Sequence, residues 1–189
     1  MMMNDSFFKD LIGLNSSLDI DRRAGFHWTP VRTKPRQEKK FAEYCSSNGI
    51  RFYLPLKRNV KRYQRRTVEF QVPMFTGYVF CQLDQPLYQK IVLSNRIVYR
   101  LQMNDGSECE LVRELKDIQM FESVSVDSEL LVRPELVSGS SVAVKSGPLR
   151  GMRGIVEKRK GKTMITINVE MLGQSVSTEI DVEDISLDD

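Results

Sequence analysis

A chain of 189 residues with 41% hydrophobic and 28% charged side chains and a formal charge of +3 has the composition of a soluble folded protein, with room for one core or two small ones. No apolar run approaches the roughly 18–20 residues of a membrane helix, and the N-terminus lacks the basic leader of a secretory signal, so a cytoplasmic protein is expected. Cys45, Cys81 and Cys109 form no CxxC pair, His27 is the sole histidine, and no nucleophile with a base or phosphate-binding loop is present, so the chain reads as neither an enzyme nor a metal or cofactor binder.

Residues 1–25 read as a weakly structured extension, although Phe7, Phe8, Leu11 and Ile12 would share one helical face. A strand over Phe26 to Thr33 holds the only tryptophan, Trp28, and Pro30 within it points to a sheet edge or a bulge. Pro35 suits the first turn of a helix whose apolar side is Phe41, Tyr44 and Cys45, with Gly49 placed to stop it. A second strand, Ile50 to Pro55, follows. Lys57, Arg58, Lys61, Arg62, Arg65 and Arg66 then crowd a hairpin with no acidic residue between them, a density that suits phosphate or solvent. Twelve of the Lys and Arg residues lie between Arg32 and Arg66, against only Glu38 and Glu43, which leaves the rest of the chain acidic and predicts one anion-facing surface.

From Thr67 the chain alternates, with Val68, Phe70 and Val72 on one face of a half-buried strand that Pro73 ends. Phe75 sits in the Pro-to-Gly corner, where regular packing buries a large apolar residue less easily, so it is expected to serve as an interface anchor. Tyr78, Val79, Phe80 and Cys81 are consecutive apolar residues, as in a strand covered on both faces, and Gly77 permits the entry turn. Asp84 caps a helix over Gln85 to Ser94. Ile97 to Met103 is a strand, and Ser107 with Glu110 forms a capping box ahead of a helix carrying Leu111, Leu115 and Ile118. The order β-α-β-β-α-β-α predicts an α+β sandwich with an antiparallel sheet over residues 26–123. Residues 124–135 read as a linker. From 136 to 189, Val142 and Val144 alternate, as do Ile165, Ile167, Val169 and Met171, and then Val176, Thr178, Ile180 and Val182. Tight turns at Gly147, Gly161 and Gly173 between them predict a small β-barrel.

The C-terminal run V-x-V-x-x-G-P-L-x-G-x-x-G-x-V, with Gly147, Pro148, Leu149, Gly151 and Gly154, resembles the SH3-like KOW domain of NusG-type transcription factors. Trp28, PRQEKKFAEY, IRFYLPLKR and VPMFTGYVF resemble the N-terminal domain of the same family, and the short first helix before GIRFYLPLKR is most similar to the specialised RfaH and UpxY type. The resemblance implies a monomer whose N-terminal domain docks on the clamp helices of bacterial RNA polymerase and suppresses pausing or termination. It implies Trp28, Phe75, Tyr78, Phe80 and Met103 as docking residues. Thr76 and Thr29 depart from the pattern, where the family commonly has proline and an aromatic residue, which implies a differently shaped pocket. Lys61, Arg62, Tyr63, Arg65, Arg66 and Arg96 are the candidates for upstream or non-template DNA, with Tyr63 stacking on a base. The KOW partner implied is a small-subunit ribosomal protein or Rho. The β-branched run TMITINVEM and the glycines predict a stable barrel with no helical form. A ribosome-associated RNA-binding protein and a housekeeping NusG are the alternative readings.

Overall fold

The computed structural model describes residues 11, 13–63, 66–124, 130–134, 139–159 and 162–187. These divide into two compact units, one made of the described residues up to Leu56 with Pro73–Val112, the other of Lys57–Val72 with the described residues from Arg113 onward.

The first unit is built on a four-stranded antiparallel sheet in the order β2-β5-β1-β6. Its strands are β1 (His27–Thr33), β2 (Phe52–Tyr53), β5 (Tyr78–Leu83) and β6 (Ile97–Arg100). One face carries Val31, Val79 and Cys81, and against it pack Phe41 and Cys45 of α1 (Glu38–Ser47) and Ile91 of α2 (Gln85–Leu93). The opposite face is aromatic. There Phe80 meets Tyr53 with ring centroids 6.4 Å apart and Phe75 edge-on at 5.9 Å. Cys45 and Cys81 are both buried, and burial first, then contact with Cys45, pushes the Cys81 thiol well above its usual range, so it is inert.

Local signals act as the sequence dictates at several ends. Asp84 Oδ1 accepts the Leu87 N–H at 2.8 Å and caps α2, and Gly49 closes α1 with φ +66°. Elsewhere the structure corrects the expectation. Pro35 stands in a turn ahead of α1, with Arg36 left-handed at φ +59°, and the helix begins only at Glu38. The long helix α3 (Asp105–Val124) is capped by Asn104, whose Oδ1 accepts from the Ser107 N–H at 2.8 Å, so Ser107 is the capped residue and not the cap.

Pro30 does not put β1 at an edge; β1 lies between β5 and β6. The strand tolerates proline because β6 ends beside it. Leu101 N–H donates to Pro30 O at 2.9 Å, and the Leu101 carbonyl, which a Pro30 N–H would have served, accepts the Thr29 hydroxyl at 2.5 Å. The N-terminal extension is likewise no loose appendage. Residues 13–17 are helical, Leu11 and Ile20 are buried, and Asn15 Nδ2 donates to Leu54 O at 2.8 Å. The Asp21 carbonyl accepts from both the Trp28 indole at 3.0 Å and Gln82 Nε2 at 2.8 Å. Phe7, Phe8 and Ile12 lie outside the described residues.

In the second unit, β3 (Leu56–Tyr63) and β4 (Arg66–Pro73) form the two-stranded hairpin, with its end residues Leu56 and Pro73 in the first unit. The rest of the sheet structure is one six-stranded antiparallel sheet in the order β12-β8-β9-β10-β11-β7. It comprises β7 (Leu131–Pro134), β8 (Ser140–Val144), β9 (Arg153–Arg159), β10 (Lys162–Val169), β11 (Gln174–Glu179) and β12 (Ile185–Leu187). This C-terminal region is all-β, and Ile165, Ile167, Val169 and Val176 are buried along the alternation read from the sequence. Met171 and Val182 fall instead in 3-10 turns, because Gly173 at φ +58° turns the chain after Leu172 and β11 ends at Glu179. β7 lies within the stretch read as a linker: Leu131–Pro134 pairs with β11 from Ser177 to Gln174. Gly161 lies outside the described residues.

Candidate functional site

The corner between β4 and β5 is fixed by two side chains distant in sequence. Glu38, the first residue of α1, is buried and its Oε1 accepts the Gly77 N–H at 2.7 Å. Arg32 on β1 donates from Nη1 to the Thr76 carbonyl at 3.2 Å, and a Cβ on Gly77 would lie 2.7 Å from that same nitrogen. Gly77 also has φ +81°, so glycine is required twice over. The corner therefore folds Phe75 inward. Phe75 is 1% exposed against Phe80, which corrects its expected role as a protruding anchor: the turn at Gly77 aims the ring at the aromatic face of the sheet. Trp28 and Phe80 are fully buried as well.

Of the aromatic residues singled out by the motif, Tyr78 is the one that reaches the surface. The Arg32 guanidinium lies 4.7 Å from its ring centroid, and Tyr99 on β6 hydrogen-bonds to it. Burial and that hydrogen bond hold the Tyr78 phenol above its usual range, with Arg32 pulling the other way, so Tyr78 is neutral at pH 7. Register explains the grouping, since β1 places Arg32 opposite both Tyr78 and Tyr99. Arg32, Tyr78 and Tyr99 thus form a cation-aromatic patch on the sheet face that also carries Trp28 and Phe80.

The basic groups distribute differently from the sequence expectation. Arg58 pairs with Glu69 across the hairpin, so the crowded run finds its counter-charge on β4, and Arg66 is exposed. Arg65 and the side chains of Lys61, Arg62 and Tyr63 lie outside the described residues. A second cationic group assembles at the end of β1. Lys34 N–H donates to the Arg96 carbonyl at 2.8 Å, Lys34 Nζ donates to Asn95 Oδ1 at 2.6 Å, and Arg96 Nη1 donates to Gln37 Oε1 at 2.9 Å. Arg36 and Asn95 both hold left-handed backbone, at φ +59° and +56°, an uncommon state for residues with side chains. Lys34 and Arg36 were not singled out; they lie near Arg96 only because β1 and β6 pair.

Met103 lines a groove of about 230 Å³ with His27, Thr29, Arg100, Leu101 and Gln102. Beside it, Glu108 is wholly buried and accepts the Trp28 N–H at 2.9 Å, with His27 Nδ1 at 2.8 Å from its other oxygen. His27, Asp105 and Glu108 are close enough to suggest a metal cluster, but Arg22 Nη2 sits 3.3 Å from Asp105 and 3.5 Å from Glu108. The guanidinium supplies the balancing charge, and the group acts as an ion network tying α3 to the start of β1. Sequence reading missed Glu108.

The glycine motif of the second unit is consumed by its own fold. Gly147 and Gly151 have φ +77° and +89°, Leu149 is buried, and Pro148 is exposed. A Cβ on Gly154 would lie 2.8 Å from the Thr166 carbonyl and 2.9 Å from Ile165 Cγ1. The loop is tied down at Asp184, whose carbonyl accepts from Lys145 N–H at 2.8 Å and whose carboxylate accepts from Ser146 Oγ.

A family model described as transcription termination factor NusG matches residues 26–124. No curated protein matches the chain significantly. Among solved structures, one reported under domain interaction in Thermotoga maritima NusG is similar at 18% identity, covering 87% of this chain and 98% of that one with a TM-score of 0.46. The family match spans more than half of the chain, and the protein accordingly belongs to the NusG family of transcription factors.

Proposed function

We propose that the protein is an elongation and antitermination factor of the RfaH and UpxY type, serving specific operons. In this reading residues 26–123 dock on the clamp helices of bacterial RNA polymerase and residues 136–189 act as the KOW domain. The observation that carries it is the Arg32–Tyr78–Tyr99 patch, an exposed cation-aromatic surface built on the motif that the family shares. Tyr78 is the anchor, and Trp28, Phe75 and Phe80 act beneath it as its support.

In this reading upstream or non-template DNA is contacted by Lys34, Arg36 and Arg96 of the first unit. Lys and Arg at phosphates give affinity and orientation, while the tyrosines offer faces for unpaired bases. Three phosphates on a single strand give a slope of log affinity against log salt near about −2. The KOW domain takes a small-subunit ribosomal protein or Rho. Single-round transcription with the cognate polymerase over a pause site and a terminator tests the reading: shortened pauses and read-through are expected. Sedimentation with ribosomes and no retention on core polymerase would replace it with the ribosome-associated alternative.

A further inference from the structure

β6 is the last strand of the first unit's sheet, so its outer side has no strand partner among the described residues. Pairing with β1 decides which groups face outward. Leu101 donates to Pro30, and Tyr99 stands opposite Arg32, so by alternation Arg100 turns its N–H and C=O away from β1. The side chains around this edge are apolar and cationic. Leu93, at the end of α2, is 83% exposed and Val98 on β6 is 60% exposed, with Val92 exposed beside Leu93. From Gln85 to Asn104 the chain carries Lys90, Arg96 and Arg100 and no Asp or Glu. The Arg100 guanidinium is stacked 4.0 Å from the Tyr88 ring centroid and has no ion pair among the described residues. It is held in place and left without an anion.

We propose that β6 and the last turn of α2 form a docking edge for an extended acidic and apolar segment of a partner protein, which adds as a strand along β6 and sets a carboxylate on Arg100. Main-chain pairing supplies affinity and the alternate side chains supply selection. Leu93 and Val98 would bury the segment's apolar residues, while the acid-free run from Gln85 to Asn104 selects negative charge. A nucleic-acid strand would leave both the strand edge and the apolar pair unused. A second copy of this chain would bring Arg100 and Arg96 against their own kind. Tyr99 of β6 belongs to the Arg32–Tyr78 patch, but strand alternation turns it to the other face of the sheet from Arg100, and the peptide test does not depend on polymerase docking.

The test is an NMR titration of the isotope-labelled full chain with a blocked heptapeptide alternating Glu and Val. Parallel probes are the same peptide with Lys for Glu, one with alternate amides N-methylated, and a single-stranded oligothymidine. Saturable shifts at Ile97–Arg100 and Leu93 are expected with the Glu peptide, with at least tenfold weaker binding for the Lys and N-methylated forms. Arg100→Glu and Val98→Asp, both at exposed or half-exposed positions, should each lower affinity at least tenfold with the rest of the spectrum unchanged. The proposal is overturned if the Glu peptide causes no shift, if the Lys or N-methylated peptide binds as well, or if oligothymidine moves the same amides more strongly. A self-dimer that Val98→Asp dissolves overturns it in favour of a second copy.

Discussion

Two short motifs, Phe75–Phe80 in the first unit and Gly147–Gly154 in the second, stand out equally in the sequence and do different work. The glycine motif is spent on folding: two of its residues need left-handed backbone and a third admits no Cβ against Ile165 and the Thr166 carbonyl. The aromatic motif is divided. Phe75 and Phe80 are core, while Tyr78 reaches the surface under the Arg32 guanidinium. A motif can be required for folding throughout and yet bring only one side chain to the surface.

Substitutions sharpen this contrast. Phe75→Ala removes a buried ring packed edge-on against Phe80, so a loss of about 3–5 kcal/mol in denaturant unfolding is expected, with lost polymerase binding following from instability. Gly154→Ala forces a Cβ into the β10 backbone and should cost about 2–3 kcal/mol, seen as early melting of the C-terminal region. Glu38→Ala strands the buried Gly77 N–H at a cost of about 1–3 kcal/mol, whereas Glu38→Gln keeps an acceptor and should recover most of it. Gly151→Ala meets nothing within 4 Å and pays only for φ +89°, about 1 kcal/mol. If Gly151→Ala proved as damaging as Gly154→Ala, backbone conformation and not close approach would explain the motif.

What was legible in the sequence was what is local. Asp84 three residues before the amide it caps, Gly49 after its helix and the period-two runs of β10 and β11 each carry their reason within a few positions. The carboxylates that organise the first unit were not legible. Glu38 reaches Gly77 across 39 residues and Glu108 reaches Trp28 across 80, and an acidic residue on a helix gives no local sign of being buried. The capping box failed because Asn104 and Ser107 compete within one turn and Asn104 wins. The basic hairpin reads as facing phosphate or solvent because Glu69, the partner of Arg58, lies beyond the run on the returning strand. β7 was read as linker because four residues, Leu131–Pro134, carry too little pattern to announce a strand. Phe75 was misplaced because the direction of a corner depends on Gly77, Arg32 and Glu38 together.

The central claim is that Tyr78 and its neighbours dock polymerase while the buried aromatics support them. Its most direct measurement is the affinity of the full chain for core RNA polymerase in the Tyr78→Ala and Tyr99→Ala variants, alongside their thermal unfolding. A loss of about 2 kcal/mol in binding for Tyr78→Ala, roughly thirtyfold, with unfolding shifted far less than in Phe75→Ala, is the expected result. Unchanged polymerase affinity in a folded double variant would contradict the account.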